Sequence, residues 1–387
     1  MRTFLTLTLA SGLALAQTGL PDSVLARLNT EERVRLSKTL TEFKPQEPYF
    51  QSLLAKSLIQ KTRDTQDFRY LDRASRILQE VLAGDGTNYE ALRLRSQIHL
   101  ERHEFREAAG NARRLIEREP MDPYNYGALG DALIELGDDD AAGDAYQRMV
   151  NLSPDLSSYN RAAYYRFLLG DAPGAIEVMK RAVAAGSLAE PEPLAWCLAQ
   201  LGDLYLKQGE TRPAEAAFAE ALRVFPNHQE SLAGMGRAAA AQGRFDGAID
   251  WMKRSVAAAP VIDHVALLAD YYTAAGKKGE ADKQWKLVEF LDKLAEANKQ
   301  IHNRNLAMVY LNHDMHLEKA LQLALRELEV RGDIYTWDAV AWAFHKNGKH
   351  LEAAEAMKKA LRLGTADPML QHHASVIQEF LPVGGSR

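Results

Sequence analysis

The chain has 387 residues, 47% of them apolar and 26% charged, which excludes a disordered chain and calls for a packed core. A formal net charge of −5 excludes electrostatic attraction to DNA, RNA or anionic lipid as the main basis of binding. A single cysteine, Cys197, excludes a disulfide framework and is read as a small apolar filler on a helix.

The chain starts "MRTFLTLTLASGLALAQTG". Arg2 supplies a positive start, residues 4–13 an apolar run too short to span a bilayer, and Ala14-Leu15-Ala16 the small residues of a cleavage site. Residues 1–16 are therefore expected to be a signal peptide, and the protein to be exported, either periplasmic or secreted. No later stretch is long and apolar enough for a transmembrane helix. Residues 17–46 are expected to form a helical or linker segment, in which Asn29 or Thr30 caps a short helix with Glu31 and Glu32 in its first turn. Residues 47–62 and 68–83 read as a helical pair, with "RDTQD" as a loop of more than usual length.

Beyond residue 89 a period sets in. Pro120 and Pro154 lie 34 residues apart, as do Pro226 and Pro260. Between them the same small residues recur: Gly130, Gly137 and Ala142; Gly202, Gly209 and Ala214; Gly236, Gly243 and Ala248. Tyr146, Phe218 and Met252 follow each set at one place. Apolar residues keep helical spacing, as in Ala217, Phe218, Ala221 and Leu222. A Gly is expected to end each first helix with positive φ, and a Pro to forbid continuation of the second. Thr211 and Asp246 are expected to cap second helices. Helix pairs of fixed length cannot bury their faces alone and must stack, which gives an all-α solenoid. The repeat is weaker at 92–120 and 311–328, where no Gly ends the first helix. Between Gly170 and Gly209 the spacing stretches to 39, so the inserted "SLAEPEP" is expected to bend the array or mark a sub-array boundary near 186–193. Residues 47–368 thus form the array, with 369–387 a terminal capping helix and a frayed tail.

Leu198, Leu201, Gly202, Tyr205, Ala214, Phe218, Ala221 and Pro226 fill in order the places of one unit of the tetratricopeptide-repeat family, which the chain resembles. The resemblance implies a right-handed superhelix of about eight to nine repeats, its inner wall lined by the first helices. The second, fifth, ninth and twelfth places of each unit would line that wall. Here they include Tyr124, Asp131, Asn160, Tyr164, Phe167, Trp196, Asp203, Arg237, Asp270, Asn305, Tyr335, Asp338, Trp342 and His345. Rings supply rigid contact area and carboxylates orient donors, which suits an extended peptide or a partner helix. Some members grip a C-terminal carboxylate with Asn at the ninth place. Here those places hold Gln97, Asp131, Tyr164, Asp203, Arg237, Asp270, Val309 and Trp342, so that mode is not expected.

No H-E-x-x-H, C-x-x-C, Gly-Lys phosphate loop or G-x-S-x-G occurs, and no carboxylate pair stands beside a recognisable nucleophile. "GMGRAA" mimics a dinucleotide loop, yet no strand precedes it and Gly236 falls on the repeat's own Gly. "GDDDAAGD" lacks oxygen ligands at the later places of a calcium loop, Ala142 and Met149. The chain is therefore read as a non-enzyme without cofactor, an exported scaffold for a protein or peptide partner. The alternative is a small-molecule or metal carrier that uses the aromatic C-terminal half and its histidines, His302, His313, His316, His345, His350, His372 and His373.

Overall fold

A computed structural model describes Leu25 and residues 28–297 and 303–380. The stretch read as a signal peptide, His302 and the tail 381–387 lie outside them. Every regular element longer than a turn among the described residues is an α-helix. The chain divides into two compact units, residues 1–98 and 99–387.

The first unit holds α1 (Thr30–Phe43), α2 (Pro48–Thr65), α3 (Arg69–Gly84) and most of α4 (Tyr89–Glu101). Asn29 caps α1: its side chain accepts from the Glu32 amide at 3.0 Å, and the Glu32 carboxylate accepts from the Asn29 amide at 3.0 Å. Leu54, Leu58, Ile59, Leu71, Leu78, Ala91 and Leu94 form its core. The loop at "RDTQD" is shorter than expected, since Arg63, Asp64 and Thr65 are helical. α2 runs on to Thr65, and Gln66 turns the chain in the left-handed region (φ 56°).

In the second unit α5 (Phe105–Arg118) precedes α6 (Pro123–Leu136) and α7 (Asp139–Leu152). Then come α8 (Leu156–Leu168), α9 (Ala172–Ala184), α10 (Pro191–Lys207), α11 (Thr211–Val224), α12 (Gln229–Ala241) and α13 (Phe245–Ala258). The rest are α14 (Ile262–Ala274), α15 (Lys278–Ala297), α16 (Asn303–Asn312), α17 (Leu317–Leu328), α18 (Ile334–Lys346), α19 (His350–Ala360) and α20 (Pro368–Glu379). Each pair from α6/α7 to α18/α19 is a packed antiparallel hairpin, and second helices pack on the first helix of the next pair, save that α15 meets α16 through side chains, as where the Tyr310 hydroxyl donates to Asp292 at 2.7 Å. First helices also meet one another, as α6 with α8, α8 with α10 and α10 with α12.

Small residues decide how closely these helices approach. Phe218 is fully buried between two first helices. A Cβ on Gly202 would stand 2.5 Å from its ring, and one on Gly234 would collide with the same ring. Gly137 ends α6 with φ 81°, as the repeat signature requires. Where the signature lacks Gly, His103 (φ 58°) and Asp314 (φ 53°) take up the same left-handed turn. This is why the repeat persists at 92–120 and 311–328 despite its weak sequence pattern.

The caps expected at Thr211 and Asp246 are absent. The turn after Gly209 and Gly243 leaves one linking residue each, Glu210 and Arg244, whose side chains make no cap bond. Thr211 and Asp246 therefore fall inside the first turn, and Asp246 pairs with Lys277 of the next repeat at 2.7 Å. Across residues 186–193 packing continues through Leu156, Val183 and Leu194. The insertion lengthens α10 to 17 residues, against 13 in α8, while the division between units falls at 98/99.

The second unit also returns on itself. Gly332 donates its amide to the Glu135 carbonyl at 2.8 Å. Arg331 reaches Glu135 at 2.9 Å across 196 residues of sequence, and Thr365 bonds the Leu168 carbonyl across 197. At a period of 34 residues, one superhelical turn therefore closes in nearly six repeats. The loops before α18 and α20 lie edge to edge on the C-terminal ends of α6 and α8. The approach is backbone on backbone: a Cβ on Gly137 would lie 2.6 Å from the Gly332 carbonyl, and one on Gly170 2.7 Å from that of Gly364.

Candidate concave binding face

The first helices carry a ladder of ion pairs from one repeat to the next. Asp131 of α6 accepts two bonds from the Arg161 guanidinium of α8, at 2.8 and 2.6 Å, and a third from the Tyr146 hydroxyl at 3.1 Å. Asp203 of α10 pairs with Arg237 of α12 at 2.7 Å. Asp270 of α14 takes His313 at 2.9 Å, and Asp338 of α18 takes His373 of α20 at 2.9 Å. Burial opposes the charge on Arg161 and Arg237, but Asp131 and Asp203 outweigh it and hold both guanidinium groups above their ordinary range. The carboxylates expected to orient a partner's donors are thus already neutralised within the chain. The signal was present in the sequence as Asp at the ninth place with a cation about one repeat later, once first helices are known to be neighbours.

Fourteen residues were expected on the inner wall, and the structure separates them. Tyr124, Asp131, Asn160, Tyr164, Trp196, Asp203, Arg237, Asp270, Asn305 and Tyr335 are exposed or half-buried. Phe167, Asp338, Trp342 and His345 are buried and do not face solvent. Trp342, 7% exposed, shows why. Its ring lies between His345 (centroids 5.0 Å apart, planes at 6°) and His373 (4.3 Å, 16°), and its indole N–H donates to Asn312 at 3.0 Å. α20 covers this end of the array and turns wall residues into core.

Tyr164 is the most exposed ring of the set, at 36%. It lines a shallow cleft with Ile134, Glu135, Asp139, Leu168, Asp333, Ile334 and Leu363. Burial, reinforced by the charges of Glu135 and Asp333, pushes its hydroxyl well above the usual phenol range. Burial also pushes the Glu135 carboxyl up to about 7; Asp333 adds to this, while Arg331 and Arg304 pull it down. Arg304 pairs with Asp333 at 2.9 Å, Lys207 pairs with Asp367, and the Lys207 ammonium lies 4.9 Å from the Phe167 ring. The sequence pattern named neither Arg304, whose partner stands at the start of the next repeat, nor Lys207, whose partner lies 160 residues on.

His313 and His316 flank the turn between α16 and α17, as expected. His345 and His350 have ring centroids 5.1 Å apart, and the Nδ1 atom of each is buried without a hydrogen-bond partner. Among the described residues no group of three or more His, Cys, Asp or Glu is placed to hold a metal ion. Also among them, no helix is long and apolar enough to cross a membrane.

Stacked helix pairs, continuous first-helix walls and small residues at the crossings define a helical-repeat solenoid, a scaffold typical of protein–protein interaction. Tetratricopeptide repeat models match residues 93–160 and 199–261, and a second such model matches 155–227. Residues 93–261 therefore carry tetratricopeptide repeats. In fold it is similar to the human IFIT1 dimer with m7Gppp-AAAA, at 16% identity and a TM-score of 0.50 over 87% of this chain and 86% of that one. The APC/C hetero-tetramer Cut9-Hcn1 is similar at 14% identity and a TM-score of 0.49 over 91% of this chain. This chain spans 61% of the length of that one. A tetratricopeptide protein of Thermus thermophilus is similar at 20% identity and a TM-score of 0.41, over 49% of this chain and 98% of that one. No curated protein matches the sequence.

Proposed function

We propose that the chain is an exported, non-catalytic scaffold that holds a protein or peptide on the inner wall formed by its first helices. One observation carries the reading. Along that wall the charged side chains Asp131, Arg161, Asp203 and Arg237 satisfy one another, which leaves Tyr124, Tyr164, Trp196 and Tyr335 as half-buried or exposed rings beside Asn160 and Asn305. A neutral wall with aromatic anchors gains most from a partner that brings apolar side chains and a backbone to bond, as an extended segment or a helix does. Export rests on the order of basic start, apolar run and Ala14-Leu15-Ala16.

The test is capture from an envelope extract by the parent protein and by Tyr164→Ala and Trp196→Ala. A protein that is retained by the parent and lost with both variants, each still helical and cooperatively folded, supports the proposal. Retention of the same proteins by all three removes it. N-terminal sequencing of the extracytoplasmic fraction tests export: a mature chain starting at Gln17 is expected, and an intact Met1 in the cytoplasm is the contrary result.

A further inference from the structure

We propose that the edge-to-edge contact between the two turns of the second unit is a latch, and that its opening admits a partner to the inner wall from the side. The proposal rests on the reading of that wall as the binding face. Three ion pairs close the seam: Arg331 to Glu135 at 2.9 Å, Arg362 to Asp139 at 2.5 Å, and Lys207 to Asp367. Three backbone carbonyls are also engaged, Glu135 by the Gly332 amide, Leu168 by the Thr365 hydroxyl and Glu329 by the Arg106 guanidinium. The cleft at the seam is lined by the aliphatic Ile134, Leu168, Ile334 and Leu363, of which Ile134, Leu168 and Ile334 belong to one buried cluster. All of these groups stand on loops and helix ends, whereas neighbouring repeats are joined along whole helix faces.

The physics favours parting at this seam. Unstacking two repeats exposes a continuous apolar face, with residues such as Phe218 and Met252 fully buried in it. Parting the turns exposes the aliphatic lining of the cleft and returns charged groups to water. Each pair joins a largely buried group to a partly exposed one, Glu135, Lys207 and Arg362 keeping 27%, 34% and 26% of their side chains exposed, so salt weakens the pairs in part while leaving helix-face packing intact. A solenoid also supplies the motion cheaply. A change of about 1 Å in rise per repeat, summed over nearly six repeats, separates the turns by about 6 Å without breaking any repeat interface. Tyr164 stands at the point that opens. It is on the wall, it lines the cleft, and Glu135 and Asp333 from the two edges of the seam line the same cleft.

Access is measured directly on the full chain with Tyr164→Cys as reporter. Cys197 is 0% exposed and stays silent to reagents. The reporter is treated with a small maleimide and with a bulky polyethylene-glycol maleimide, and the ratio of the two rates is read. In the parent background at low salt the bulky reagent is expected to lag strongly. In Arg362→Ala/Thr365→Val, which removes one ion pair and one hydroxyl from the seam, the bulky-to-small ratio is expected to rise about tenfold. In the unaltered seam the ratio is expected to climb with sodium chloride, a measurement that needs no seam variant to fold. A ratio that is unchanged both by salt and by the seam variant overturns the latch. So does a parent ratio already near unity at low salt. The readout uses no partner, so failure of the capture experiment and failure of the latch are told apart.

Discussion

The small residues that repeat along the chain are there to let rings through, and an alanine series tests this. Gly202 and Gly234 lie in α10 and α12, and both touch Phe218. In an exposed helix interior, Gly to Ala gains about 1 kcal/mol from propensity. At these two positions the added methyl meets a ring held on both faces: at Gly202 the gap is 2.5 Å, far inside a carbon contact. Overpacking of this kind costs about 1–3 kcal/mol, and Phe218, fully buried, has no free side toward which to move. The net expectation is a loss of about 0–2 kcal/mol for Gly202→Ala and Gly234→Ala, the overpacking cost less the propensity gain, so both fall about 1–3 kcal/mol below Gly110→Ala. Gly110 in α5 has nothing within 4 Å of its would-be Cβ, so Gly110→Ala keeps the propensity gain alone, about 1 kcal/mol of stabilisation. Urea titration followed by far-UV circular dichroism gives the order. If Gly234→Ala is as stable as Gly110→Ala, the close approach inferred for these crossings is wrong.

Three further outcomes are expected. Gln66→Gly removes a left-handed strain at an exposed helix end and is expected to stabilise the chain by about 0.5–1 kcal/mol, read as a rise in Tm. Trp342→Ala is expected to destabilise by about 3–5 kcal/mol, because it empties a stacked, hydrogen-bonded core position; Trp196→Ala, half-buried, is expected to cost clearly less in the same urea titration. For His313, burial opposes the imidazolium, but the bonds to Asp270 and to the Val309 carbonyl outweigh it and hold the group above its ordinary 6.5. A pKa raised on folding contributes stability that is fully present below about pH 6.5 and is lost as pH rises through the folded value. Asp270 is more than a third exposed, so the effect is under about 1 kcal/mol. The Tm difference between the parent and His313→Gln is expected to shrink from pH 6 to pH 8.5, and a constant difference contradicts the pair.

What the sequence disclosed follows from which forces act locally. Gly137, Gly209 and Gly243 end first helices by backbone conformation, a property of the residue itself, so the period and the all-α fold could be read directly. His103 and Asp314 adopt the same conformation without the residue that advertises it, because the packing of the flanking helices outweighs their intrinsic preference. The state of the expected wall residues was not legible. Asp131 and Asp203 stand on first helices, and their cations arrive from the next first helix, which no rule on a single helix shows. Trp342 and His345 look like wall residues until α20 folds over them. The seam left no trace at all: Arg331 and Glu135 carry no period that relates them, and only the accumulated twist of the intervening repeats brings them together.

That long-range return has a consequence for biogenesis. Most contacts in the array join residues of one repeat or of adjacent ones, and these form quickly as local, low-contact-order structure. The bonds of Arg331 and Thr365 span 196 and 197 residues, so the segments they hold are synthesised far apart in time. At roughly 5–20 residues per second, α6 waits some tens of seconds on the ribosome's schedule before its distant partner exists. The seam bonds therefore form only after the nearly six repeats between them are in place.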